Sequence, residues 1–184
     1  MKNILVVFVF LFSSSILTYS QVSFYGVKLG DRKSSVERTL DSKGIRYSEE
    51  TLENGNELIE IPYPEIAGIE FNRGGLLFED YTLISGSFQC GPDGGTGDPS
   101  MPWHSQFINN AKRWAGYYDL LYQKLNSKYG RATIDTDEYV EWSIGETKIS
   151  LKFIFEYETN NWGWIDHNAS LILKYYINKD NNDY

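Results

Sequence analysis

Strict alternation over 148–157 sets the frame. Ile149, Leu151, Phe153, Phe155 and Tyr157 fall on one side and Lys148, Ser150, Lys152 and Glu156 on the other, with Ile154 the apolar exception. A period of two sustained over this length builds a strand with one covered and one wetter face. The covering layer is also in the chain. Across 105–129, Phe107, Ala111, Trp114, Tyr118, Leu121 and Leu125 recur four and three residues apart, one continuous apolar stripe along a helix. A one-sided helix and a one-sided sheet each need the other, which predicts an α+β fold with an antiparallel sheet and two helices packed on one face. Trp114, Tyr118, Leu121 and Leu125 are expected to lie against Ile149, Leu151, Phe153 and Phe155.

The first helix is expected to start near Asp31, carry Val36 and Leu40 inward and stop at Gly44, with Ser34 and Glu37 as a second candidate capping box. The long helix stops at Gly130, with Lys124 and Lys128 suited to the negative end of its dipole. Strands are expected at 57–61, 68–71 and 76–84 after the first helix, and at 139–144, 148–157 and 169–177 after the second. Asn54-Gly55 and Asn72-Arg73-Gly74-Gly75 read as turns. Both helices end in similar strings, Leu40-Asp41-Ser42-Lys43-Gly44 and Leu125-Asn126-Ser127-Lys128-Tyr129-Gly130. That echo leaves a tandem α-β-β-β repeat open, with half-repeats 21–86 and 104–178 joined by 87–103. The joining stretch holds Gly91, Pro92, Gly94, Gly95, Gly97, Pro99 and Pro102, and is expected to be a long surface loop.

The first twenty residues indicate where the protein works. Lys2 forms a short positive start, 4–12 is an uncharged apolar run, and Thr18 and Ser20 precede a cut ahead of Gln21, the parts of a secretory signal. Residues 21–184 are then the exported domain, periplasmic or extracellular. The apolar run falls short of the roughly 20 residues a membrane span needs. The chain of 184 residues has net charge -8, and losing Lys2 makes the mature form more negative, which disfavours nucleic acid and anionic membrane as partners. Cys90 is the single cysteine, so stability must come from packing rather than an internal disulfide.

The segment Phe24-Tyr25-Gly26-Val27-Lys28-Leu29-Gly30, followed by a polar helix start and then Val36, Leu40 and Gly44, resembles the opening of small exported bacterial domains of the beta-lactamase-inhibitor-like and SmpA-like kind. The resemblance implies a helical element laid on an antiparallel sheet, often duplicated, acting through protein contacts rather than catalysis. No functional residue carries over from it.

No catalytic residue is assigned. Cys90, His104 and Asp93 or Asp98 would make a thiol and a base, but nothing local supplies the cation or helix start that lowers a thiol pKa. His104 and His167 stand far apart in the chain, which argues against a zinc site. The acidic stretches 93–98 and 135–138 lack EF-hand spacing and read as solvated turns. There is no Gly-Lys-Ser phosphate loop, Gly-x-Ser-x-Gly elbow or His-Glu-x-x-His, so no cofactor or metal is implied.

The aromatic loop 160–168 is the main candidate surface. Trp162 and Trp164 sit among Asn160, Asn161 and Asn168, and indoles beside amides can stack on a sugar or anchor a protein; the alternative is that they fold back as a lid on the sheet end. Trp103, at the edge of the Gly-rich stretch, is the third candidate, although it also leads into the long helix as a core residue would. Trp142 alternates with Val140 and Ile144 and belongs inside. The leading expectation is a non-catalytic exported binding module for a protein or glycan. The alternative is a hydrolase of an extracellular or envelope polymer, with carboxylates paired by the fold and an indole as platform.

Overall fold

The alternating segment and the apolar stripe both become long elements in the computed structural model, which describes residues 23–178. The expected leader 1–20 and the cut before Gln21 lie outside the described residues. In chain order the elements are β1 (Ser23–Phe24), β2 (Val27–Lys28), α1 (Lys33–Ser42), β3 (Ser48–Thr51), β4 (Glu57–Pro62), β5 (Glu65–Ile66), β6 (Ile69–Glu70), β7 (Arg73–Glu79) and β8 (Thr82–Gly97). Then follow α2 (Pro102–Tyr129), β9 (Ile134–Asp135), β10 (Tyr139–Ile144), β11 (Thr147–Thr159) and β12 (Ile165–Ile177). Eight strands form one antiparallel sheet in the order β3-β4-β7-β8-β12-β11-β10-β9, so the protein is α+β.

Register places the apolar residues in rows across this sheet. Ile59, Leu76, Gly86, Tyr175, Ile149 and Trp142 are successive cross-strand partners, and Ile61, Gly74, Phe88, Leu173, Leu151 and Val140 form the next row. All but the glycines belong to one buried core, which also holds Val36 and Leu40 of α1 and Phe107, Ala111, Trp114, Leu121 and Leu125 of α2. Both helices therefore cover the same face. Among the described residues no element covers the other face, where Ser87, Gln89, Ser150, Lys152, Lys174 and Tyr176 alternate with the core positions.

Local chemistry moves the element ends. α2 starts at Pro102 rather than near Ser105, because proline fits the first helical turn, where its missing N–H is no loss. It ends at Gly130 (φ 84°), whose N–H donates to the Asn126 carbonyl, and the adjacent carbonyl of Gly130 takes the Trp142 indole N–H at 3.1 Å. α1 starts two residues later than Asp31 and no side chain caps it, so the Ser34/Glu37 box does not form. Asp31 instead accepts the Lys28 N–H at 2.8 Å.

Three expectations are overturned between the two helices. The strand expected over 76–84 is split by a tight turn at Asp80 and Tyr81, both at positive φ (47° and 60°), the backbone of a primed hairpin turn. The loop expected over 87–103 is largely strand, since β8 runs unbroken to Gly97. Two of its glycines, Gly86 and Gly97, lie where rings occupy the space above them. A Cβ on Gly86 would stand 2.7 Å from Phe24 Cζ, and one on Gly97 2.6 Å from Trp103 Cζ2. Pro92 is tolerated because the ladder slips between Ala169 and Leu171 at that level. Gly74 and Gly75, expected in a turn, lie inside β7, where Phe88 packs on Gly74.

Candidate functional site at the tip of the long hairpin

β8, β12 and β11 outrun the rest of the sheet. β7 pairs with β8 only as far as Gln89, and β10 pairs with β11 only as far as Lys152, whereas β12 stays paired to Gly97 on one side and Thr159 on the other. The result is a three-stranded tongue over roughly 90–97, 153–159 and 165–171. The first turns of α2 back it. Phe107, 1% exposed, stacks on Phe155 and Tyr157 and meets His167 edge-on at 4.4 Å. His104 Nε2 lies 2.7 Å from the Tyr157 hydroxyl.

The turn at the end of the tongue is built by one amide. Asn160 Oδ1 accepts the N–H groups of Trp162 and Trp164 at 3.0 and 3.1 Å, and the Asn160 N–H donates to the Trp164 carbonyl at 2.8 Å. Gly163 supplies the positive φ (76°) that the tight return requires. With the backbone held this way the rings are left outward: Trp162 is 85% and Trp164 53% exposed. Neither folds back as a lid. Trp103 sits at the same end but half-buried, stacked on His167 at 4.5 Å and lying over Gly97.

The other face of the tongue is acidic. Glu156, Glu158 and Asp166, with Thr96, His167 and Asn168, line an open cavity of about 430 Å³. Thr96 donates to Asp166, and Asn168 Nδ2 donates to Glu156 Oε2 at 3.0 Å. Asp135, in the second acidic stretch, accepts the Tyr122 hydroxyl at 2.8 Å. Among the described residues no three His, Cys, Asp or Glu side chains gather to hold a metal ion.

Cys90 lies inside the core, 2% exposed, with its thiol 3.8 Å from the Glu70 carbonyl. Burial pushes the thiol up to about 11, far from the range of a nucleophilic cysteine. His104 is engaged with Tyr157, so the thiol and base weighed from the sequence have separate partners.

Sequence reasoning missed the exposure of β11. Phe155 was expected beneath the long helix, yet it is 45% exposed and Tyr157 38%, because α2 crosses the tongue on one side and leaves the outer part of the strand bare. The tapering of burial from Ile149 outward has no counterpart in the alternation itself. Compared with protein-family models, curated proteins and solved structures, the chain matches none. No helix of the described residues is long and apolar enough to cross a membrane.

Proposed function

We propose that the protein is an exported, non-catalytic interaction module that holds a partner protein or glycan at the end of its tongue, through Trp162 and Trp164 with Trp103 at their base. The observation that carries this reading is the exposure of two adjacent indoles on a turn whose shape is maintained by Asn160 rather than by the rings. Large apolar surface held on a stiff turn offers contact area at small entropic loss, which is why tryptophan dominates many interfaces. On this reading α1 followed by four strands of the main sheet (β3, β4, β7 and β8, with the small β5–β6 hairpin inserted among them) and α2 followed by four more (β9 to β12) come from a duplicated unit, in keeping with the resemblance of 24–44 to duplicated exported domains.

The test compares retention. Wild-type protein and the double variant Trp162→Ala/Trp164→Ala are immobilised and exposed to envelope extract and culture fluid of the source cells. The wild type is expected to retain a component that the variant does not, with melting temperatures nearly equal. Equal retention by both proteins would remove the tip from the site. A second reading, hydrolysis of an extracellular or envelope polymer, is motivated by the acid-lined cavity beside the indoles. It requires that the purified protein release soluble fragments from such a polymer and that Asp166→Asn stop the release.

A further inference from the structure

The tongue has an unpaired outer edge. Phe153 donates its N–H outward to the Glu138 carbonyl at 3.0 Å; by alternation the N–H and C=O groups of Phe155, Tyr157 and Thr159 point the same way, and no strand of the described residues meets them. A row of free backbone groups is a template for an added strand, and proteins usually defend such a row with lysine, proline or a bulge. Between 153 and 159 the edge carries no lysine, proline or bulge, and its only charges are the carboxylates of Glu156 and Glu158, which repel an acidic strand but attract a basic one.

Two further features say what the added strand would look like. On the helix side, Ile108, Ala111, Lys112, Ala115, Phe153 and Phe155 bound an apolar groove of about 280 Å³, next to where a strand paired to β11 would run. On the opposite side the edge presents exposed Glu156 and Glu158. Side chains directly across an antiparallel pair interact, favourably for opposite charges and unfavourably for like ones. The groove asks for apolar residues at one parity and the carboxylates ask for basic residues at the other. A second copy of this chain does not fit, because antiparallel pairing of 155–159 with itself about Tyr157 would set Glu156 of each copy against Glu158 of the other. Nor does the chain outside the described residues, since neither 1–22 nor 179–184 alternates apolar with basic residues.

We propose that β11 accepts, along 154–159, an extended segment of a partner protein in which apolar residues alternate with lysine or arginine. This rests on the reading of the protein as an interaction module and adds a second contact beside the tryptophan tip.

Capped eight-residue peptides of alternating valine and lysine are titrated calorimetrically into the purified protein. The controls are alternating valine and glutamate, and the valine–lysine peptide with a central valine replaced by proline, which keeps the charge but cannot complete the ladder. The valine–lysine peptide is expected to bind about tenfold or more tighter than either control. Glu156→Gln/Glu158→Gln, on exposed positions, is expected to abolish the preference for the lysine over the glutamate peptide without changing the melting temperature, and a preference left intact would overturn the proposal. Equal binding of the proline-broken peptide would show attraction by net charge alone and overturn the proposal. So would a concentration-dependent dimer that excludes the peptide. Peptide binding is expected to survive Trp162→Ala/Trp164→Ala. Loss of peptide binding with tryptophan-dependent retention intact sinks the edge alone, and the converse sinks the tip alone.

Discussion

On the open face of the sheet a carboxylate is almost wholly enclosed. Glu141 is 4% exposed, and its oxygens take the hydroxyls of Tyr139 and Tyr176 at 2.6 and 2.8 Å and the Lys148 ammonium at 3.0 Å. Burial opposes its charge, but the three donors more than offset that, and the carboxyl is held below its ordinary value of 4.5. A depressed acid stabilises the fold above its unfolded pKa and releases that stability as pH falls through its folded one. Urea denaturation between pH 7 and pH 3 is expected to show a smaller acid-induced loss in Glu141→Gln than in wild type; an identical loss would place the acid sensitivity elsewhere. Leu121, 1% exposed in the helix stripe, is a packing residue. Leu121→Ala is expected to remove about 2 to 5 kcal/mol in the same assay, and a change under roughly 0.5 kcal/mol would place it at the surface.

At the scale of elements, α1 is tied to the sheet edge by a single cation. Lys33 Nζ meets Glu57 at 2.6 Å and Glu49 at 2.7 Å, with Glu37 at 3.7 Å, so one ammonium joins the helix to β4 and β3. The site is only partly exposed, which places its worth between that of a surface pair and a buried one. Lys33→Met is expected to destabilise the protein by about 1 to 3 kcal/mol and to raise amide exchange in 33–42 and 48–51 before the rest of the sheet; uniform exchange would contradict the tie. Elements with strong local signals were legible in advance: the α2 stripe, the alternation of Val140, Trp142 and Ile144 along β10, and the β11 alternation. The β7–β8 turn was not, because Asp80-Tyr81 carries no glycine or asparagine to announce positive φ. Nor was β8, because glycine marks loops by default, and only the rings above Gly86 and Gly97 explain why the strand needs residues without side chains. The exposed indoles were legible as residues, but Asn160 as the organiser of their turn, and the bare edge beside them, depend on pairing that no local pattern encodes.

For the molecule as a whole, two helices on one face of an eight-stranded sheet leave a broad polar face and a projecting tongue, the latter with indoles at its end and an unpaired side. Export predicts that protein recovered from the native source begins at Gln21, and intact mass decides it: a retained Met1 would contradict export. The central claim, that the tongue is the binding element, is tested most directly by amide hydrogen exchange on the protein alone and with the retained partner bound. The account predicts new protection concentrated in 153–168, with the open-face segments around Ser87 and Ser150 unchanged. Protection over that open face, with 153–168 exchanging as in the free protein, would contradict it.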